Sequence, residues 1–354
     1  MGFWKGKRVL ITGHSGFKGS WLAIWLNEMG AVVRGVSLKP IHKNGNFNAT
    51  RLDSKVSTIY QDIRDFEKLN KIVKEFEPQV VFHLAAQSLV GTSYEQPQLT
   101  FETNAIGTLN MLEAIRQCKS VKAAVMITSD KCYRNVEQIW GYKETDVLGG
   151  DDPYSASKAC AEIMINSYLK CYFSDHSQNI ASCRAGNVVG GGDWSENRIV
   201  PDCFRALFSK EAIVIRNPNS TRPWQHVLEP LRGYLMLAER LFNAGHELCG
   251  SYNFGPSIEY EHTVTDVTNG IIKNWGSGEV IVQKNKNFHE SALLQLDCTK
   301  ARLRLKWQPI LSFDEVLEFT TSWYKTFYEN EKSDMHEFCV NQIKEYERLS
   351  GYEG

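Results

Sequence analysis

Several absences bound what this 354-residue chain can be. Neither sign of charge is in excess: 40 Lys and Arg stand against 41 Asp and Glu, for a net charge of −1. That balance gives no argument for a basic face toward nucleic acid or an anionic membrane surface. No apolar run approaches the roughly 20 residues that cross a bilayer, and the amino terminus leads straight into a strand. The nine cysteines are scattered, with no Cys-x-x-Cys pair. This argues against a disulfide framework or a zinc site and for reduced thiols in a cytoplasmic protein. Cys160, Cys171 and Cys183 read as core residues, and Cys132 as a small buried hydrophobe. Repeats, low-complexity tracts and composition-marked linkers are missing too. What remains is a globular chain with 42% hydrophobic residues, long enough for one large α/β domain and a smaller companion. Its expected partner is a small molecule, not nucleic acid or membrane, and no metal site is expected.

The first half alternates strand and helix patterns. Lys7–Ile11 reads as a buried strand, and Thr12-Gly13-His14-Ser15-Gly16-Phe17-Lys18-Gly19 follows it. Ser20–Met29 then carries apolar residues at helical spacing through Trp21, Leu22, Ile24, Trp25 and Leu26. Strand, glycine turn and helix form the setting of a phosphate-binding loop. Gly13 permits the tight turn, Gly16 lets backbone approach a pyrophosphate, and Gly19 lets helix and strand pack closely. The free N–H groups of the helix start face the anion. The spacing is Gly-x-x-Gly-x-x-Gly, so position between strand and helix carries the argument more than the triplet does. Gln79–Leu84, Lys122–Thr128 and Ile180–Arg184 are further short apolar runs suited to central parallel strands. Thr103–Gln117 and Tyr154–Tyr168 read as the helices between them.

The pattern predicts a doubly wound, parallel Rossmann-type sheet with a smaller α+β region toward the carboxyl terminus. Residues 1–188 would form the dinucleotide domain, with 228–256 a candidate return to it, and 189–354 the substrate region. Capping boxes open helices at Thr263/Asp266 and Ser312/Glu315. The last apolar helix should cover Phe313–Tyr328, followed by a charged, partly exposed helical tail.

Two segments carry chemistry. Tyr154-Ser155-Ala156-Ser157-Lys158 places a phenol and an ammonium one turn apart on one helical face. A lysine near a phenol favours phenolate, which can take a proton from a hydroxyl while hydride leaves its carbon. Thr128-Ser129-Asp130-Lys131 ends a predicted strand, where ligands of such sheets bind. It supplies an acid in Asp130 and a base in Lys131. The competing reading of that pair is a surface ion pair. Arg222 suits a phosphate contact, with Arg198 and Asn187 as further candidates. Trp224 belongs either to a base stack or to the core. His83 and His226 read as structural.

These elements arrive in a recognisable order: Thr12–Gly19, Asp62-Ile63, His83-Leu84-Ala85-Ala86-Gln87, Thr103-Asn104-x-x-Gly107-Thr108, Thr128–Tyr133, Tyr154–Lys158 and Arg184-x-x-Asn187-Val188. The chain resembles the extended short-chain dehydrogenase/reductases over nearly its whole length, and within them the nucleotide-sugar 4,6-dehydratases. Lys131 after Asp130, where the dTDP-glucose branch carries Glu, resembles the branch acting on CDP-glucose. Gly190–Trp194 and Arg222–Val227 point the same way.

The resemblance implies NAD as cofactor, held by Gly13, Gly16, Phe17, Lys18, Gly19, Asp62, Ile63, Leu84, Ala85, Ala86, Thr128, Tyr154 and Lys158. Asp62 would meet the adenine amino group. It assigns the C4 hydroxyl proton to Tyr154, orientation of the C4 oxygen to Ser129, the C5 proton to Lys131 and protonation of the departing C6 hydroxyl to Asp130. Lys158 would hold the nicotinamide ribose and lower the Tyr154 phenol. Gln87, Asn187, Arg198, Arg222 and Trp224 would meet the substrate. A homodimer through Thr103–Gln117 and Tyr154–Tyr168 is implied, as is a product destined for a bacterial surface polysaccharide. The end of the second strand, Gly35–Lys39, lacks the acid that binds a ribose 2′-hydroxyl, and Lys39 is compatible with a 2′-phosphate. Alternatives are a dehydratase of a GDP- or dTDP-linked hexose, a nucleotide-sugar 4-epimerase and an NAD-binding sensor without turnover.

Overall fold

The structure, a computed structural model, describes residues 2–174, 178–256, 262–283, 294–330 and 333–354. The first strands are β1 (Arg8–Thr12), β2 (Val32–Ser37), β3 (Ser57–Tyr60), β4 (Val80–His83), β5 (Ala123–Ile127) and β6 (Asn179–Ala185). Short strands follow: β7 (Val188–Val189), β8 (Ile213–Ile215), β9 (Thr221–Arg222), β10 (Gln225–His226), β11 (Gly250–Phe254), β12 (His262–Thr263) and β13 (Val280–Val282). Seven of them make one parallel sheet in the order β11-β6-β5-β4-β1-β2-β3.

The central strands are buried almost throughout, because both faces are covered. Val9 and Ile11 enter one core cluster while Leu10 enters the other, and Phe82 and Val81 split the same way. The chain turns back at β1, so a crevice opens at the carboxyl ends of β1 and β4. The loops after β1, β4 and β5 line it.

The helices are α1 (Phe17–Glu28), α2 (Asn46–Ala49), α3 (Phe66–Phe76), α4 (Val90–Glu95), α5 (Pro97–Phe101), α6 (Gly107–Arg116) and α7 (Pro153–Cys171) in the first half. Then come α8 (Ile199–Ser209), α9 (Leu228–Ala244), α10 (Val264–Trp275), α11 (Thr299–Leu305), α12 (Phe313–Glu329) and α13 (Met335–Ser350). α3, α6 and α7 cover one face of the sheet, and α1 and α9 the other. The expected helix over Thr103–Gln117 divides into a π-turn at Glu102–Ile106 and α6. Ile63 packs where a Gly107 side chain would stand, with its Cδ1 2.4 Å from that position.

Both capping boxes form as their sequences predict, at Thr263 and Ser312. The small pairs β7–β10, β8–β13 and β9–β12 lie outside the main sheet. The tail helix, α13, is more deeply packed than its charge suggests. Cys339 and Tyr346 are fully buried, the Tyr346 hydroxyl donates to Glu229 Oε2 at 2.6 Å, and the Trp25 indole donates to Glu347 Oε1 at 2.7 Å.

All nine cysteines are free thiols. Cys132 and Cys183 are buried as expected, but Cys160 is half-buried and Cys171, the last residue of α7, is exposed. Among the described residues no helix is long and apolar enough to cross a membrane, and no cluster of ligating side chains suits a metal.

Candidate functional site

The glycine turn is shaped for close approach. Gly13 has φ +76°, and a Cβ there would stand 2.7 Å from the Ala85 nitrogen, which leads the loop after β4. A Cβ on Gly19 would meet the Gly13 carbonyl at 2.2 Å. Gly16 is the extended N-cap of α1 and offers no capping side chain. The helix therefore begins at Phe17, earlier than its apolar pattern suggests, and puts Phe17, Lys18 and Gly19 in the first turn. The N–H groups of that turn lack intrahelical acceptors, which is the arrangement that receives a phosphate. Cradle and open helix end together fit a dinucleotide.

Leu84, Ala85 and Ala86 follow β4, half-buried at the crevice. Thr12 Oγ1 accepts from Ala85 N at 3.2 Å and shares a 2.8 Å hydrogen bond with His83 Nδ1. Burial lowers His83 and His226 to about 3, in keeping with neutral structural roles. Lys39 is exposed beyond β2, and the His14 ring fills the space beside Gly35.

Three of the expected contact residues are engaged within the protein itself. The Asp62 carboxylate is engaged by Arg64, whose Nη2 stands 2.7 Å from Asp62 Oδ2; that guanidinium holds the carboxyl below its ordinary range. An adenine amino group would have to share it. Ile63 is buried against α6 instead of lining an open pocket. Gln87 also turns inward. Its amide donates to the Leu89 carbonyl at 3.0 Å and Thr100 Oγ1 at 2.9 Å, and accepts from Leu89 N at 2.6 Å. With both N–H donors used, it shapes its own loop and has none left for a substrate.

The two chemical segments meet. Ser129, Asp130, Tyr154 and Lys158 are all buried. Asp130 Oδ1 accepts from Ser129 Oγ and from Lys131 N, each at 2.9 Å. Lys131 is half-buried and forms no salt bridge among the described residues, which removes the surface-ion-pair reading. Ser129 lies beside the Tyr154 phenol and acts on its ionisation. Burial pushes its phenol up to about 12; Ser129 and Arg198 act downward, and Asp130 upward. The sequence expectation was that Lys158 would set this phenol. The ammonium instead donates to the Ile127 carbonyl at 3.5 Å, so the phenol's strongest neighbours are Ser129, Asp130 and Arg198. Burial, followed by the charge of Lys18, lowers Lys158 to about 8. Lys18 is likewise lowered to about 8, by burial and then by Arg198.

Of the substrate candidates, Arg198 acts on the Tyr154 phenol. Asn187 adopts φ +48°, rare for a side-chain-bearing residue and concentrated at functional sites. Arg198 bonds Asp193 Oδ2 at 3.0 Å and reaches the Ser88 carbonyl at 3.5 Å, spanning the two halves of the chain. Arg222 Nη1 donates to the Thr221 carbonyl at 2.7 Å. Trp224 is half-buried, with its indole donating to the His262 carbonyl at 3.3 Å. It packs against the larger core, with its ring held at the rim.

The sequence reading gave no role to several residues that build this site. Asn104 donates to the Gln87 carbonyl and to Ser157 Oγ, each at 2.9 Å, and so ties the loop after β4 to α7. Gly186 leaves room for Asp130: a Cβ there would stand 1.8 Å from Asp130 Oδ2. Gly186→Ala is therefore expected to displace that carboxylate and lower turnover by about 10²-fold, the range of a lost acid. Steady-state kinetics with a thermal melt checks this, since a fold defect would move the melt as well. Glu162 lies one further turn along α7 from Lys158, and its carboxylate takes Arg184 Nη2 at 2.6 Å. Burial alone would raise Glu162, but the Arg184 charge and hydrogen bonds from Arg184, Thr128 and Ser182 hold it below its ordinary range. The available signals were the i+4 spacing and the Arg184-x-x-Asn187 segment.

Comparison with known proteins agrees with this geometry. The family model described as GDP-mannose 4,6 dehydratase matches residues 10–320. The chain belongs to that family. A Salmonella typhimurium relative of this dehydratase chain, named CDP-glucose 4,6-dehydratase, is 45% identical over 350 residues, covering 97% of each. A human relative, named GDP-mannose 4,6 dehydratase, is 28% identical over 87% of this chain and 89% of its own. Among solved structures, a Thermus thermophilus UDP-glucose 4-epimerase in complex with NAD superposes with TM-score 0.77 at 27% identity. The match covers 90% of this chain and 99% of the epimerase. A Bacillus anthracis dTDP-glucose 4,6-dehydratase shares the fold, with TM-score 0.75 at 21% identity over 92% of this chain and 98% of its own.

Proposed function

We propose that this chain converts CDP-glucose to CDP-4-keto-6-deoxyglucose with loss of water. The observation that carries the reading is end-to-end 45% identity to the Salmonella CDP-glucose 4,6-dehydratase, joined to a site with an acid and a lysine beside a buried phenol. NAD, when bound, supplies the hydride acceptor for C4 and the donor for C6, so no external reductant is consumed. The uncapped start of α1 and the Gly13–Gly19 cradle would receive its pyrophosphate, and Lys158 would hold its nicotinamide ribose.

Tyr154 takes the C4 hydroxyl proton, and Ser129, beside the phenol, orients that oxygen. The C4 ketone acidifies C5–H, because the carbanion becomes an enolate. Lys131, which forms no salt bridge among the described residues, takes that proton. The C6–O bond breaks as Asp130 protonates the leaving hydroxyl, and water departs. Lys131 then returns a proton to C5. Arg222 would meet the substrate pyrophosphate, with Arg198 and Asn187 as further candidates, and Trp224 would flank its base.

A 4-epimerase shares this fold and the Tyr-x-x-x-Lys helix, but it has no elimination for Asp130 and Lys131 to perform. The test is a parallel incubation of CDP-glucose, dTDP-glucose, GDP-mannose and UDP-glucose with NAD, read by mass spectrometry for loss of water. Loss from CDP-glucose alone supports the reading, and loss from another member moves the base assignment. Binding of NAD without loss from any would remove the dehydratase reading.

The free thiols suit a cytoplasmic enzyme. Ile106, beside α6, and Ile163, on α7, are 44% and 58% exposed, which supports pairing of two copies through these helices. Light scattering should then read twice the 40.3 kDa chain mass, and Ile163→Glu should return it to one.

A further inference from the structure

We infer that the buried pair Glu162–Arg184 is a positioning clamp that fixes the acid/base turn at 129–132 against the helix carrying Tyr154 and Lys158. As a statement about turnover, this rests on the dehydratase reading above.

Tyr154, Lys158 and Glu162 lie at i, i+4 and i+8 on α7, so they share one face at successive turns. The Glu162 carboxylate is held from three strands. Thr128 Oγ1, at the end of β5, donates to Oε1 at 2.5 Å. Ser182 Oγ on β6 and Ser251 Oγ on β11 donate to Oε2 at 2.9 and 3.1 Å. Arg184 completes the shell at 2.6 Å, with the two side chains only 2% and 1% exposed.

Thr128 is the residue that leads into Ser129-Asp130-Lys131. The other end of the turn is caught by the same pair. Arg184 Nη1 donates to the Tyr133 hydroxyl at 2.7 Å, and that hydroxyl donates to Asn253 Oδ1 at 2.8 Å. The guanidinium also lies over the Tyr133 ring, 4.8 Å from its centroid. The acid/base turn is thus bracketed by Thr128 and Tyr133, both tied to one ion pair, and that pair is rooted in the helix that carries the phenol.

Stability alone is a poor reason for this arrangement. Desolvating two charges commonly offsets their attraction, and apolar pairs of similar volume are often as stable. Arg184 holds its orientation even though its Nε is left without a partner. What the pair provides is a fixed placement between two segments that are remote in sequence. Catalytic geometry is sensitive to displacements of about 1 Å.

The test uses the full chain with Glu162→Gln and with the neutral double variant Glu162→Met/Arg184→Met. Thermal melting separates folding from placement. Hydrogen exchange at the amides of residues 130–133 reads the turn without any substrate, and kcat and KM read the chemistry. The expected result for Glu162→Gln is at least tenfold faster exchange in the turn, a kcat about 10–100-fold lower and a KM within twofold. In the double variant the melt recovers, while exchange stays fast and kcat stays low. Unchanged exchange in Glu162→Gln overturns the inference, as does recovery of kcat together with the melt. If the unaltered protein dehydrates no nucleotide sugar, the functional reading fails, and the exchange data still decide the clamp.

Discussion

Tyr154→Phe is expected to lower kcat by about 10³-fold, within the span of a lost general acid–base group, and to leave the melt nearly unchanged. The reason is geometric. The Tyr154 ring is buried on α7, and Phe retains the ring while deleting the phenol oxygen. A loss of that size corresponds to roughly 4 kcal/mol of transition-state stabilisation. The pH dependence carries a second check. The reaction needs phenolate, yet burial pushes the phenol up to about 12, with Arg198 opposing. Activity should therefore rise with pH along a limb set by Tyr154. Removing a cation raises the phenol further, so Arg198→Gln should move that limb to higher pH. Retention of more than a tenth of wild-type kcat in Tyr154→Phe would remove the phenol from the mechanism.

Lys131→Ala should separate oxidation from elimination. Lys131 is half-buried beside Asp130 and forms no salt bridge among the described residues. Its removal takes away the C5 base without disturbing the Tyr154–Ser129 pair. Water loss is expected to fall by about 10²–10⁴-fold, while the C4 oxidation step persists, so reduced nicotinamide should build up on the protein. Exchange of the C5 proton with deuterated solvent should fall in parallel. Water loss within threefold of the unaltered protein would assign the base elsewhere and would weaken the case for an acid/base pair at 130–131.

Much of the fold was legible because its signals are local. The strand–glycine–helix unit at 8–28, the apolar runs of β4, β5 and β6, and the capping boxes at Thr263 and Ser312 each depend on residues close in sequence. Their periods match the elements formed. The start of α1 was less legible because Phe17–Gly19 lie outside the apolar pattern and a glycine N-cap carries no polar signal. The depth at which α13 packs was hidden by its charged residues, whose long side chains keep their charges outward while Cys339, Ile343 and Tyr346 turn inward.

At the site the division is similar. The residue types and spacings of Thr128–Lys131 and Tyr154–Lys158 announced proton transfer, because chemistry is carried by side-chain identity. Whether Gln87 and Asp62 were available was not announced. That depended on Thr100 and Arg64 arriving beside them. The electrostatic setting of Tyr154 was not announced either, since burial leads it, followed by Ser129 and Asp130 and then by Arg198 from the other half of the chain.

The sequence by itself determined the sheet class, the dinucleotide turn and the candidates for the reacting groups, because each is written in a short contiguous pattern. Only the tertiary structure decided that Gly186 makes room for Asp130, that β11 joins β6 at the sheet edge, and that Thr128, Tyr133, Glu162, Arg184 and Asn253 form one buried network. Those contacts join residues far apart in the chain, and no local propensity or period encodes which distant partner a buried polar group will find.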